Sequence, residues 1–356
     1  MAAHLLFAGY IGCGNIGDDA ITLGLVHGLG NAGYEITVMA GRPEETNRLY
    51  GFSSVDRRDF KAIELAMSQC DALVFPGGSI FQDVTSVKSV AYYSKLISMA
   101  KKAKKKVLLL GQGVGPLESF FGKRMAAAAF NDADVISVRD SESVQTLKDI
   151  GVRKAPRLTA DNAFLLPNVE AADENQGFTV GGMKTVGISV RPLDKKTDVA
   201  TIFGDFCRLL YQGGSMPVLI EMDKEEDGPL IAEIAKRQGG KIPDLRKMAT
   251  PMQLQQRLSR MDSIVAMRLH AGILASTVGI PPLMVNYDPK VAAFSKMMEL
   301  GTPLAVQGLT AQRLFDTFTS FQKDRERNGR VVERKRDEMR KLAELNVELV
   351  RDNVRI

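Results

Sequence analysis

The chain has no tryptophan, three cysteines and three histidines in 356 residues, and each scarcity removes a class of protein. Cys13, Cys70 and Cys207 lie far apart with no CxxC pair, so neither a disulfide framework nor a zinc site is indicated, and a reducing compartment is expected. Aromatics make up only 6% of residues and never interleave with basic runs, which argues against nucleic acid as a partner. No apolar stretch approaches the roughly 18 residues of a membrane span. The opening MAAHLLFAGYIGCGNIGDD lacks a basic region before its apolar stretch, so no signal peptide is expected and a cytoplasmic location is. G-x-S-x-G is absent and Cys13 has no histidine near it in sequence, so nucleophilic catalysis is not expected. No His/Asp cluster suggests a metal; Asp132-Ala133-Asp134 formally resembles a DxD clasp but reads as the end of a helix.

What is present is ordinary globular composition, 45% hydrophobic and 25% charged, in a chain long enough for two domains. The net charge of +5 is unevenly spread, with Lys101, Lys102, Lys104, Lys105 and Lys106 in one cluster and Arg334, Lys335 and Arg336 in another. These clusters suit either solvated helix faces or a peripheral contact with the inner face of an anionic membrane. Nothing in the sequence fixes an oligomeric state.

Short Val/Ile/Leu runs alternate with amphipathic segments, the signature of βαβ units and parallel sheets. Strands are expected at His4–Gly9, Glu35–Ala40, Ala72–Phe75, Lys106–Gly111 and Val135–Val138. A second series covers Thr185–Val190, Pro217–Glu221, Lys241–Pro243, Ser263–Ala266 and Pro282–Asn286. The expected fold class is α/β, two Rossmann-like domains facing across a cleft in the GT-B manner. An N-terminal domain would span 1–166, a linker 167–184, a C-terminal domain 185–309, and a charged helical tail 310–356 packed across the hinge or on the first domain.

Gly12-Cys13-Gly14-Asn15-Ile16-Gly17 matches G-x-G-x-x-G between a strand and a helix. Dinucleotide binding is therefore one reading, with Arg42 at the second strand's end suited to a 2′-phosphate. Against it, Asp18 and Asp19 follow the third glycine and would repel a pyrophosphate. Two further loops, Pro76-Gly77-Gly78-Ser79 and Gly111-Gln112-Gly113-Val114-Gly115-Pro116, follow buried strands. Three such loops on one sheet edge would expose backbone N–H groups to an anion or sugar hydroxyls.

Arg139, Arg191, Arg268 and Lys290 all stand just past strand ends, where α/β proteins bind ligands, and His270 opens a helix beside Arg268. Arginines that end apolar strands are costly unless they meet an anion, and a phosphate with a carboxylate would account for several. His270 could exchange a proton near neutral pH. His4 and His27 read as structural.

Several segments occur together and in order: GYIGCGNIGDDAI, FPGGSIFQDVTS with SVAYYSKL, LLLGQGVGP, SVRDSES, ADNAF, ISVRP, AMRLHAGILA and NYDPKV. From about residue 4 to residue 300 the chain resembles the polysaccharide pyruvyltransferase family, nearest its bacterial cell-wall (CsaB) type. The resemblance implies transfer of pyruvate from phosphoenolpyruvate, as co-substrate and without other cofactor or metal, to form a ketal on a sugar. The implied acceptor is N-acetylmannosamine on a lipid- or nucleotide-linked cell-wall precursor. It also implies His270 as catalytic histidine, with Lys290 and Arg139 serving the donor; Arg268 and Arg191 join them on physical grounds. Tyr10, Gly12, Gly14, Asn15, Gly17, Asp18, Gly77, Gly78, Ser79 and Gln82 would serve the acceptor. Relatives often carry an aromatic where this chain has Cys13, a contact Tyr10 could supply. Competing readings are a nucleotide-sugar-dependent GT-B glycosyltransferase, an NADP-dependent oxidoreductase and a non-catalytic sugar-binding module.

Overall fold

The computed structural model describes residues 2–30, 33–84, 87–169, 182–193, 196–240, 242–246 and 248–355. Most of the expected linker 167–184 lies outside the described residues. The chain forms two compact units, Met1–Leu166 together with Met339–Ile356, and Pro167–Glu338. Of the expected helical tail 310–356, residues up to Glu338 belong to the second unit and Met339–Ile356 to the first.

The first unit is built on β1 (Ala3–Phe7), β2 (Tyr34–Ala40), β3 (Ser53–Asp56), β4 (Ala72–Phe75), β5 (Gly78–Phe81), β6 (Lys106–Val114), β7 (Val135–Val138) and β8 (Arg157–Leu158). Helices α1 (Ile16–Leu29), α2 (Pro43–Tyr50), α3 (Phe60–Gln69), α4 (Val87–Lys102), α5 (Phe120–Asp132) and α6 (Ser141–Asp149) connect them. Every pairing is parallel, in the order β3-β2-β1-β4-β6-β7-β8. That order reverses direction between β1 and β4, so the loops after these two strands open the crevice where such sheets take ligands.

β4 and β5 are one strand interrupted. Ala72 pairs with Lys106 and Gly78 with Gln112, the same offset; Pro76-Gly77 steps out of the ladder between them, and the register shifts once more before Phe81 pairs with Val114. Pro76 has no N–H to give, and Gly77 adopts φ 137°, a conformation open to glycine. Side chains fill the gap: Gln112 Nε2 donates to Phe75 O at 3.2 Å and Asn162 Nδ2 to Pro76 O at 2.6 Å. Two of the three expected glycine loops are therefore corrected, since Gly78-Ser79 and Gly111-Gln112-Gly113-Val114 lie within strands and their buried backbone is held there. Gly111 N donates to Ser137 Oγ and Val114 N to Ser143 Oγ, at 2.8 and 2.9 Å.

The second unit carries β9 (Lys184–Ser189), β10 (Ser215–Ile220), β11 (Ser263–Ala266), β12 (Pro282–Asn286) and β13 (Leu304–Ala305), parallel and ordered β10-β9-β11-β12-β13. Helices α7 (Val199–Gln212), α8 (Lys224–Arg237), α9 (Pro251–Leu258), α10 (Leu269–Thr277), α11 (Pro289–Met297) and α12 (Ala311–Lys323) pass between strands or close the unit. The expected strand at 241–243 is instead a single bridge between Leu219 and Asp244, with Lys241 outside the described residues. Here the strand order reverses between β9 and β11. The last helix, α13 (Arg325–Asn353), begins in this unit. Its final stretch belongs to the first, where Asn346 donates to Asn162 Oδ1 at 2.8 Å and accepts from Ser137 Oγ at 2.6 Å.

Candidate active site

In the first unit, the glycine-rich turn after β1 folds around a carboxylate. Gly12 N–H donates to Asp19 Oδ1 at 2.8 Å and Tyr50 O–H to Asp19 Oδ2 at 3.0 Å. Burial pushes the Asp19 carboxyl up to about 7, against those two hydrogen bonds. Gly12 itself adopts φ 60° with Thr46 Oγ1 only 2.1 Å from where a Cβ would stand, so no other residue fits the turn. Asn15 caps α1, its Oδ1 accepting from Gly17 N and Asp18 N. The N–H groups of Gly12, Gly17 and Asp18 are thus used internally. They are not the anion cradle of a dinucleotide fold, nor the direct sugar contacts expected of them.

Beyond this turn, the end of β7 meets β5. Arg139 is 5% exposed at its side chain, donates to Asp161 Oδ2 and Ser79 Oγ at 2.8 Å each, and lies 3.6 Å from Asp140. The expectation that its guanidinium is open to a substrate anion is corrected: a buried arginine needs paired carboxylates, and Asp161 and Asp140 supply them. Asp18 adds to the field at Arg139 and lies against Gly78, whose Cβ would stand 3.2 Å from Asp18 Oδ1. Ser79, Asp18, Gly78 and Arg139 therefore share one corner, while Gln82 sits half-buried just past β5.

Arg57, which follows β3, was not singled out from the sequence, and it organises the other side of the turn. Its guanidinium lies over Tyr10, Tyr92 and Tyr93 at 5.3, 5.1 and 5.9 Å from the ring centroids. It donates to Cys13 Sγ at 3.2 Å and Tyr93 Oη at 3.1 Å. Burial raises the Cys13 thiol above its ordinary range despite the adjacent Arg57, which suits a packing role. Tyr10 presents its ring to solvent, 39% exposed.

In the second unit the loops after β9, β11 and β12 bring three of the expected cations together. Arg268 is clamped: its Nε donates to Asp227 Oδ1 at 3.0 Å, and one terminal nitrogen reaches Glu226 Oε2 at 2.8 Å. Asp227 is fully buried at the start of α8; burial pushes its carboxyl up, against the pull of Arg268. Arg268 thus differs from the open cation expected, because its charge is met from within. Glu226 is half-exposed and lies 3.6 Å from Arg191. Burial acts to raise its carboxyl, but the Arg268 hydrogen bond and the charges of Arg268, Arg191 and Lys290 hold it below the usual range.

Arg191 and Lys290 remain partly exposed at their side chains, 23% and 27%. Arg191 donates to Tyr287 Oη at 3.0 Å and lies 5.2 Å from the ring centroid, with Lys290 Nζ 5.9 Å from the same ring. Asp288 caps α11 through Lys290 N and sits 3.5 Å from Lys290 Nζ. His270 is half-buried in the first turn of α10, two residues past Arg268. The other histidines have structural partners, His4 with Thr37 Oγ1 and His27 with Leu165 O, both at 2.8 Å. Among the described residues no three His, Cys, Asp or Glu side chains converge as a metal site, and no helix is long and apolar enough to cross a membrane.

Solved structures with this fold include a UDP-N-acetylglucosamine 2-epimerase homologue of Listeria monocytogenes, at TM-score 0.66 and 10% identity, over 94% of this chain and 91% of that one. HepE of Anabaena, in complex with UDP-glucose, aligns at TM-score 0.62 and 11% identity over 98% of both chains. These likenesses establish the α/β, GT-B-like fold of parallel sheets. In sequence, the amylovoran biosynthesis protein AmsJ of Erwinia amylovora is 24% identical over 259 residues, 67% of this chain and 61% of AmsJ. This chain therefore spans under two thirds of that relative's length. Residues 15–289 match the polysaccharide pyruvyl transferase family, a span that includes Asp18, Ser79, Arg139, Arg191, Arg268 and His270, and the chain belongs to that family.

Proposed function

We propose that the protein transfers pyruvate from phosphoenolpyruvate to a sugar of a lipid- or nucleotide-linked cell-wall precursor, N-acetylmannosamine by preference, forming a ketal and releasing phosphate. The observation that carries this reading is the convergence of Arg191, Arg268 and Lys290 around Tyr287 and Glu226, with His270 opening the adjacent helix. A small, highly charged donor with a phosphate and a carboxylate needs such a cluster.

Arg191 and Lys290 hold the donor's anionic groups, while Arg268, fixed by Asp227, supplies positive field. His270 protonates the methylene carbon as a sugar hydroxyl adds at C2, the hydroxyl proton passing to solvent or base. The C2–O bond to phosphate then breaks with its electron pair on phosphate, and a second hydroxyl closes the ketal and gives up its proton. In the first unit, Tyr10 offers a face for a sugar ring and Ser79, Asp18 and Gln82 offer polar groups for its hydroxyls. Arg139 acts through Ser79 as a positioning residue.

The test is incubation with phosphoenolpyruvate and a panel of N-acetylhexosamine-bearing precursors, with mass detection of the pyruvylated product and assay of phosphate. His270→Ala should abolish product and keep the fold. Wild-type turnover in that variant, or release of a nucleoside diphosphate from a sugar nucleotide, would overturn the reading.

A further inference from the structure

The first turn of α5 breaks two rules of a stable surface helix at once. Phe120 and Phe121 are 66% and 72% exposed, Phe121 being the most exposed large hydrophobic side chain among the described residues. Lys123 and Arg124 follow them, exposed, and no acidic residue stands in this turn. Cations at a helix start oppose the helix dipole, and phenylalanines in water forgo their burial. Neither choice serves the fold, and coincident local violations of this kind mark a functional surface.

The turn is held firmly in place. Ser119 caps α5 through Gly122 N, and the Asp83 carboxylate accepts from Glu118 N, Ser119 N and Ser119 Oγ at 2.7, 2.9 and 2.5 Å. A Cβ on Gly122 would stand 2.2 Å from Asp83 Oδ2, so the two segments lie in direct contact. Asp83 also brings in its neighbour Val84, itself 60% exposed. The Phe120 and Phe121 rings lie 5.8 Å apart, with Arg124 over the Phe120 ring at 5.6 Å and exposed Lys123 next to it in sequence, while Val84 adds an exposed apolar side chain on the adjoining segment. This tip sits beyond the carboxyl ends of β5 and β6, the sheet edge that carries Ser79 and Asp18.

We propose that this tip docks on an anionic phospholipid bilayer, Phe120, Phe121 and Val84 entering the interface and Lys123 and Arg124 meeting lipid phosphates. Aromatic side chains flanked by basic ones suit that boundary: the rings are apolar, and the cations gain from the negative surface potential. A protein partner would need a broader apolar area than three side chains supply. The proposal rests on the transferase reading only for its purpose, bringing the enzyme to a lipid-borne acceptor.

The full chain is pelleted with vesicles of phosphatidylcholine alone or mixed with phosphatidylglycerol. Wild type should bind the mixed vesicles and lose them in high salt. Phe120→Ser with Phe121→Ser should weaken partition by about tenfold or more, and Lys123→Gln with Arg124→Gln by about 25-fold, fivefold per cation. Unchanged thermal melting, and unchanged turnover of a water-soluble acceptor, would show the variants intact. Equal partition by variants and wild type overturns the proposal, as does a wild-type dimer that the serine variants disperse. Vesicle binding by a protein that makes no pyruvylated product would overturn the transferase reading and leave the docking surface standing.

Discussion

Arg139 and Asp161 meet at 2.8 Å just past two neighbouring strands of the first sheet, both almost wholly buried. A charge in that setting depends on its partner, since removing one half leaves the other desolvated and unpaired. Asp161→Ala should therefore destabilise the protein by about 3–5 kcal/mol in urea unfolding. Pairing it with Arg139→Met should recover much of that loss, a coupling that a double-mutant cycle reads directly. Turnover should stay low in the double variant, because Ser79 loses the donor that orients its hydroxyl. Additive losses would show that the pair is not coupled.

Glu226 lies against Arg191 and Arg268, cations that the proposed donor would also meet. Glu226→Gln removes the competing negative charge while keeping a hydrogen-bond acceptor for Arg268. The KM for phosphoenolpyruvate should fall severalfold, by the roughly 1 kcal/mol typical of a half-exposed charge contact, with kcat little changed. An increase in KM would show instead that Glu226 is needed to aim Arg268.

Asp227→Asn tests the opposite side of the same arginine. It leaves the shape and takes away the buried charge that fixes Arg268, so KM should rise while Arg191 and Lys290 remain in place. Far-UV circular dichroism and melting temperature separate this from general unfolding, and a KM unchanged in a folded variant would refute it.

The Asp19 carboxyl, raised to about 7 in the folded chain from an ordinary 3.8, binds its proton more tightly folded than unfolded. Its contribution is complete below pH ~4 and is lost as pH rises through about 7, since the folded state holds more protons across that window. The loss amounts to at most about 4 kcal/mol from a shift of this size. Asp19→Asn should flatten this part of the profile and gain stability above pH 7 relative to wild type, measured by urea midpoints across pH 5–8. A slope unchanged by the substitution would place the titration elsewhere.

Arg57→Met should raise the acceptor KM and spare the donor KM, because the guanidinium steadies Tyr10, the ring proposed to meet the sugar. Arg57→Lys should recover part of the loss, as a cation over three rings is kept while the hydrogen bonds to Cys13 and Tyr93 are not. Equal effects on both substrates would indicate general structural damage.

Alternation of apolar and amphipathic segments made the two parallel sheets legible, and strand ends pointed to Arg191, Lys290 and His270. Composition could not show which carboxylate meets which cation. Asp227 lies 41 residues before Arg268, and their meeting depends on how α8 and the loop after β11 fold together. Arg57 stood unnoticed for the same reason, 44 residues from Cys13 and with no motif around it. The glycine-rich stretches misled in another way. Gly78-Ser79 and Gly111-Gln112-Gly113 have the composition of turns, yet they continue strands because each pairs with the other along β6 and its neighbour. Short polar α2 carried too little periodicity to announce itself.

The gap at Pro76-Gly77 makes the sheet edge a step with a set rise. Asp18 lies against the chain at Gly78, and the segment proposed to face lipid begins at Val84, six residues on and at most about 20 Å away along the chain. If Ser79 and Asp18 read the acceptor sugar and Val84 meets lipid, as proposed, the stretch from Gly78 to Val84 would set the distance between the sugar and the surface its carrier is anchored in. An enzyme of this design would select acceptors by how far the sugar stands from the bilayer, and a two-residue insertion in β5 would shift that preference toward longer carriers.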